Sequence, residues 1–158
     1  MVDDLEGTLM TMTRTITMLA LAGTLFAGAA QAQSSAAASA AAKEPGAEVT
    51  ASGLVFRSLK EGNGGSPQAS DTVRVHYKGT LPDGKEFDSS YSRGQPAEFP
   101  LNRVIPCWTE GLQKMKTGGK AKLTCPPEIA YGSRGASGVI PPNATLHFEV
   151  ELLGISKR

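Results

Sequence analysis

Residues 146–152 read Leu-His-Phe-Glu-Val-Glu-Leu, and every second side chain in this stretch is apolar. Successive side chains of an extended strand point to opposite faces of a sheet, so this alternation predicts a strand with one buried and one wet face. Residues 73–78 repeat the pattern, with valine and tyrosine alternating with arginine, histidine and lysine. Both stretches are typical of an antiparallel sheet that covers a core on one side.

Shorter stretches extend the predicted sheet. Further strands are expected at residues 54–59, 86–89 and 121–125, and Pro82-Asp83-Gly84 predicts a turn because proline fixes φ while glycine accepts a positive φ. Residues 126–143 form a long loop rich in glycine and proline, and loops of that length in compact domains are usually functional or disordered. The apolar residues expected to face one way in the first of these strands are Leu54, Phe56 and Leu59.

The period of the apolar residues changes between residues 104 and 115. Ile105, Trp108, Leu112 and Met115 are spaced as on one face of an α-helix. Pro106 lies near the start, where its missing N–H costs nothing. The elements together predict an α+β domain in which a strongly twisted antiparallel sheet wraps around one short α-helix.

The first third of the chain differs in composition. A basic residue precedes the apolar run 16–30, and residues 30–32, Ala-Gln-Ala, have the small-x-small form of a signal-peptidase site, which predicts a signal peptide over residues 1–32. The alternative, a retained anchor, is weaker because a membrane span needs about 20 apolar residues. Translation is expected to begin at Met10 or Met12, since the acidic residues before them do not suit a signal peptide.

Residues 33–50 are mainly alanine and serine before a Glu-Pro-Gly break, and they predict a flexible tether. A short alanine helix is the alternative, although fewer than about 12 residues are marginal in water. Residues 51–158 then form the single folded domain. The expected mature protein is periplasmic or secreted, without stable insertion in a membrane.

Several classes of function are disfavoured. The 16 basic and 15 acidic residues nearly cancel, so nucleic acid is not an expected partner. His76 and His147 are the two histidines, and both fall at polar positions of predicted strands. We find no nucleophile motif, phosphate-binding loop or metal-ligand spacing, and we expect no cofactor and no metal.

Aromatic residues gather near the predicted turns and loop starts. They either line one concave apolar pocket or belong to an ordinary core, and periodicity does not separate the two. These residues are Tyr77, Phe87, Phe99, Trp108, Tyr131 and Phe148.

A series of short segments resembles the FKBP family of peptidyl-prolyl cis-trans isomerases, in family order and over nearly the whole domain. The segments are residues 75–79 (VHYKG), 84–90 (GKEFDSS), 99–101 (FPL), 104–112 (VIPCWTEGL), 119–123 (GKAKL), 130–132 (AYG), 140–146 (IPPNATL) and 148–153 (FEVELL). The resemblance implies an FKBP-like fold and an enzyme that rotates the amide bond before proline in exported polypeptides.

The resemblance also implies a site. Asp88, Tyr131 and the Ile105 N–H would be the catalytic groups, with Arg93 holding Asp88 and Trp108 forming the floor under the proline ring. Proline-containing polypeptides would be the partners, and macrolide inhibitors would compete with them. The residues implied to bind the substrate are Tyr77, Phe87, Phe99, Val104, Ile105, Trp108, Tyr131 and Phe148.

Two features depart from the family pattern: Ala97 stands at a rim position that can be aromatic, and Ala136-Ser137 replace larger loop residues. They leave substrate preference and macrolide affinity undetermined. The alternative function is a non-catalytic chaperone module that binds proline-containing segments. A monomer is expected, since the chain lacks the long N-terminal helical dimerisation segment of some exported relatives.

Cys107 and Cys125 are the two cysteines. An even pair in an exported protein predicts a disulfide, and the alternative is two buried thiols that act as small apolar residues.

Overall fold

A computed structural model of the chain describes residues 36–136 and 138–157, in which one antiparallel sheet packs against a helix. The signal peptide predicted for residues 1–32 lies outside the described residues. The strands are β1 (Ala47–Val49), β2 (Val55–Lys60), β3 (Thr72–Thr80), β4 (Glu86–Ser89), β5 (Ala97–Pro100), β6 (Lys120–Cys125) and β7 (Leu146–Ser156). The helices are α1 (described over 36–42), α2 (Ser90–Arg93) and α3 (Pro106–Gln113), with 3₁₀ turns at Leu101–Arg103, Pro127–Ile129 and Gly132–Arg134.

The sheet has the strand order β1-β2-β6-β7-β3-β4, and every pairing in it is antiparallel. One edge of β3 pairs with β7 along its whole length, while its other edge pairs first with β5 and then with β4. Tyr77 and Gly79 of β3 lie opposite Val150 and Phe148 of β7. The middle of the sheet therefore brings together residues that are about 70 positions apart in the chain.

Helix α3 carries the predicted apolar face into the core. Cys107, Trp108 and Leu112 are buried, and Pro106 occupies the first turn, as expected. A Cβ on Gly111 would lie 2.8 Å from Leu123 Cδ2, so this glycine lets the helix approach β6 closely. The α+β class and the short helix predicted from the sequence are confirmed.

The structure does not show a flexible tether in the described part of residues 33–50. Residues 36–42 are helical, and residues 47–49 form the edge strand β1. Ala41 is only 5% exposed, and Glu44 accepts hydrogen bonds from Arg57 (2.8 Å) and Lys122 (2.9 Å). These tertiary contacts stabilise a segment that would be marginal alone, and the alternative, a short alanine helix, is what is observed.

Two local predictions for the strands also need correction. Leu59 is 40% exposed and does not share the burial of Leu54, because residues five positions apart in a strand point to opposite faces. It lies at the irregularity between Ser58 and Lys60 in the pairing with β6. Strand β5 was not predicted, since its four residues carry no clear alternation. Within residues 36–136 and 138–157, no helix has the length and hydropathy needed to cross a membrane.

Candidate active site

A cavity of about 460 Å³ opens among β3, β4, β5, α3 and β7, and it collects residues from distant parts of the sequence. Every catalytic and substrate-binding residue predicted from the family resemblance lines it, together with Arg103, which the sequence reasoning missed. The lining residues are Tyr77, Phe87, Asp88, Phe99, Arg103, Val104, Ile105, Trp108, Tyr131 and Phe148.

Trp108 lies at the centre of the aromatic lining and is 4% exposed. Its ring meets three others edge to face, with centroid distances of 5.1 Å to Tyr77, 5.5 Å to Phe99 and 5.3 Å to Phe148. Edge-to-face contacts are favourable because the positive edge of one ring meets the negative face of the next. The indole is thus held rigidly, and its Nε1 has no hydrogen-bond acceptor among the described residues.

The close approach of two cavity rings depends on a glycine. Phe87 and Phe148 meet edge to face at 5.5 Å beside Gly79 of β3. A Cβ on Gly79 would lie 2.5 Å from Phe87 Cζ and 2.9 Å from Phe148 Cε1, distances that real Cβ contacts essentially never show. Gly79 therefore determines where this wall of the cavity stands, a role that strand periodicity does not indicate.

The carboxylate of Asp88 is held from several sides at the polar edge of the cavity. The Tyr77 hydroxyl donates to Oδ2 at 2.5 Å, while Arg93 Nη1 (2.6 Å) and the Ser89 N–H (2.9 Å) donate to Oδ1. Arg93 Nη2 also donates to the Tyr77 hydroxyl oxygen at 2.8 Å. The contact between Arg93 and Asp88 is the one that the family resemblance implied.

This network sets the protonation of its members. Burial raises the pKa of Asp88, but the hydrogen bonds from Tyr77 and Arg93 and the Arg93 charge lower it by more, so the pKa lies below its ordinary value. Burial and the bond to Asp88 raise the pKa of Tyr77. At neutral pH, Asp88 is therefore ionised and Tyr77 is a protonated donor.

The Ile105 N–H and the Tyr131 hydroxyl at the cavity also have no acceptor among the described residues. The Ile105 carbonyl is already used by the Trp108 N–H at 2.9 Å, which fixes this peptide at the start of α3. Tyr131 is 42% exposed on the loop after the second 3₁₀ turn. Both donors are free to bind carbonyl groups of a peptide.

A disulfide links Cys107 to Cys125, as the sequence predicted for an exported protein, and both residues are fully buried. Cys107 precedes Trp108 in α3, and Cys125 ends β6 just before the loop that carries Tyr131. The disulfide therefore links the segment that carries Trp108 to the segment that carries Tyr131, and both residues line the cavity.

The histidines lie outside this cavity. His76 Nδ1 is 2.9 Å from the Ser90 hydroxyl, and His147 Nδ1 is 3.0 Å from the Thr124 hydroxyl. In the part of the chain that the structure describes, no group of three or more His, Cys, Asp or Glu side chains is placed to hold a metal ion.

The model of one protein family, FKBP-type peptidyl-prolyl cis-trans isomerase, matches residues 64–153. The chain belongs to this family. The isomerase FkpA of Escherichia coli K12 is 58% identical over 114 residues, covering 72% of this chain and 42% of that protein. The chain thus spans less than half of that curated relative.

Solved structures agree with the family assignment. The crystal structure of FkpA from Escherichia coli matches with a TM-score of 0.79 at 52% identity, covering 82% of this chain and 61% of that one. A peptidyl-prolyl cis-trans isomerase from Pseudomonas syringae pv. tomato DC3000 matches with a TM-score of 0.77 at 38% identity, covering 86% of this chain and 99% of that one. The family and the fold predicted from the sequence are confirmed.

Proposed function

We propose that this chain is a peptidyl-prolyl cis-trans isomerase that rotates X-Pro amide bonds in exported polypeptides without a covalent intermediate. The observation that carries the proposal is the cavity itself: an aromatic wall around the buried Trp108, with the Ile105 N–H, the Tyr131 hydroxyl and the fixed Asp88 carboxylate along it. A proline ring fits an apolar, largely pre-formed cavity of this kind.

The reaction requires no nucleophile. Resonance gives the amide a rotation barrier of about 18–20 kcal/mol, and the twisted transition state has lost that resonance and part of its polarity. A dry aromatic cavity disfavours the polar planar amide more than the twisted one. Only such differential binding of the transition state accelerates the reaction.

The polar groups are assigned roles within this mechanism. The Ile105 N–H and the Tyr131 hydroxyl bind substrate carbonyls and hold the peptide while its amide turns. Asp88, kept ionised by Tyr77 and Arg93, lies beside the turning bond and provides a fixed negative charge. Fixed dipoles and charges of this kind need no reorganisation during the reaction.

The setting of the enzyme is part of the same proposal. The signal-peptide pattern over residues 1–32 supports a periplasmic or secreted enzyme, and the Cys107–Cys125 disulfide supports an oxidising compartment. Macrolide inhibitors would occupy the cavity in place of proline. Analytical ultracentrifugation of the chain from Gln33 tests the predicted monomer.

The test of the proposed function is an isomerisation assay on a short X-Pro peptide with the chain from Gln33. Tyr131→Phe removes the free hydroxyl, and the loss of one well-placed hydrogen bond, about 1–3 kcal/mol, predicts a fall in kcat/KM of roughly five- to 150-fold. Tyr91→Phe is the matched control, because Tyr91 is similarly exposed at 45% but lies outside the cavity.

The two variants together test whether the Tyr131 hydroxyl contributes to catalysis. We expect Tyr91→Phe to keep the wild-type kcat/KM while Tyr131→Phe loses most of it, with both unfolding near the wild-type temperature. A folded wild-type protein that does not accelerate isomerisation but still binds the peptide would favour the chaperone module instead.

A further inference from the structure

Arg103 is the residue of the cavity that neither periodicity nor motif indicated. It ends the 3₁₀ turn Leu101–Arg103, lines the cavity and has an exposed side chain. The backbone of the turn is firmly placed: Leu101 is fully buried, its N–H donates to the Asp71 carbonyl (2.9 Å), and its carbonyl accepts from the Thr109 hydroxyl (2.7 Å). The backbone that carries Arg103 is therefore held in place at the cavity.

The two charged residues that line the cavity differ in their partners. Among the described residues that line it, Asp88 and Arg103 are the charged ones. The Asp88 carboxylate forms an ion pair with Arg93 at 2.6 Å, while Arg103 makes no ion pair or hydrogen bond with any residue in the described ranges. Of the two charged residues that line the cavity, Arg103 is therefore the one without a charge partner in the described ranges.

We propose that Arg103 is a specificity-determining residue that favours substrates with an acidic side chain next to the proline. This inference rests on the proposed isomerase function and names the substrate class that the cavity prefers. If proline occupies this cavity, a carboxylate on the residue before or after it would be a neighbour of the Arg103 side chain, which lines the same cavity. Because such a pair stays exposed to water, its effect on kcat/KM is modest, about two- to five-fold, and weakens with salt.

The test uses two sets of X-Pro peptides in a protease-free isomerisation assay at low salt. One set carries Glu, Gln or Lys directly before the proline, and the other carries the same residues directly after it. Glu and Gln have nearly the same shape, so their ratio isolates charge. In at least one set, we expect wild-type kcat/KM to fall in the order Glu, Gln, Lys.

Variants then assign the preference to one side chain. Arg103→Gln is expected to bring the Glu-to-Lys ratio close to one, and Arg103→Glu to invert it. Arg74→Gln is the matched control, since it removes the same charge from an exposed position of β3 outside the cavity, and it is expected to keep the wild-type ratio. Raising salt from about 20 mM to about 500 mM shortens the screening length and should shrink the ratio.

The possible results distinguish a failure of this inference from a failure of the proposed function. Equal wild-type kcat/KM values for Glu, Gln and Lys peptides in both sets overturn the role of Arg103 while leaving the isomerase intact. The same holds if Arg103→Glu keeps the wild-type order, or if Arg74→Gln abolishes it. Absence of catalysis toward all peptides overturns the proposed function and the inference together.

Discussion

Gly79→Ala tests whether the wall of the cavity depends on a missing side chain. The new methyl group would lie 2.5 Å from Phe87 Cζ and 2.9 Å from Phe148 Cε1. The methyl group belongs to a central strand paired on both sides, so the backbone has little freedom to retreat. One or both rings must move, and their edge-to-face contact at 5.5 Å must be lost or distorted.

Two opposing terms set the magnitude. Overpacking a core typically costs about 1–3 kcal/mol, whereas replacing glycine by alanine in extended backbone stabilises by about 0.4–1 kcal/mol through the unfolded chain. The expected net loss in unfolding free energy is about 1.3 kcal/mol at the midpoints of the two terms, within a range of about 0–2.6 kcal/mol. Displacement of aromatic contacts worth about 0.5–1.5 kcal/mol predicts a fall in kcat/KM of roughly two- to ten-fold.

Gly154→Ala is the matched control, because Gly154 also lies in a strand and a Cβ there meets nothing within 4 Å. Urea unfolding and the X-Pro isomerisation assay are to be run on wild type and both variants. We expect Gly154→Ala to be as stable as wild type or slightly more so, with unchanged kcat/KM. The reasoning is refuted if Gly79→Ala matches wild type in both unfolding midpoint and kcat/KM.

Two further predictions concern stability. The double variant Cys107→Ala/Cys125→Ala should lose about 3 kcal/mol of unfolding free energy in non-reducing urea titrations, because the closed loop constrains the unfolded chain; an unchanged midpoint would contradict this. The hydrogen bonds from Lys157 (2.8 Å) and the Gln68 N–H (2.8 Å) hold the pKa of Asp71 below its ordinary value. The contribution of ionised Asp71 to the free energy of unfolding is present above the unfolded-state pKa and is lost as pH falls through the folded-state pKa. The difference in unfolding free energy between wild type and Asp71→Asn, measured in urea, should therefore be larger near pH 7 than near pH 3. A stability difference between wild type and Asp71→Asn that does not change with pH would contradict this prediction.

The predicted parts of the fold have a local signal. The strands over residues 73–78 and 146–152 alternate cleanly because one face is buried and the other wet, and α3 shows helical spacing for the same reason. The cavity residues came from the family resemblance instead, since an aromatic side chain has the same periodicity in a core as in a cavity wall. The structure brings those predicted residues to one cavity, while their roles in catalysis stay predictions.

The missed parts depend on contacts with distant residues. The segment around Glu44 is ordered by Arg57 and Lys122, which lie 13 and 78 positions away in the chain. Strand β5 is defined by its pairing with the first half of β3, not by a pattern of its own. A polar segment that is held by ion pairs with distant residues has no local sequence signal that distinguishes it from a flexible linker.

The sequence by itself determined the class of the domain, the family and the set of aromatic residues, because burial periodicity and family motifs are properties of short segments. Only the tertiary structure decided that Gly79 sets the approach of two rings and that Arg103 stands unpaired at the cavity. The physical reason is the same in both cases. Steric clearance and charge compensation depend on distances between strands and turns, and those distances exist only once the sheet has closed around α3.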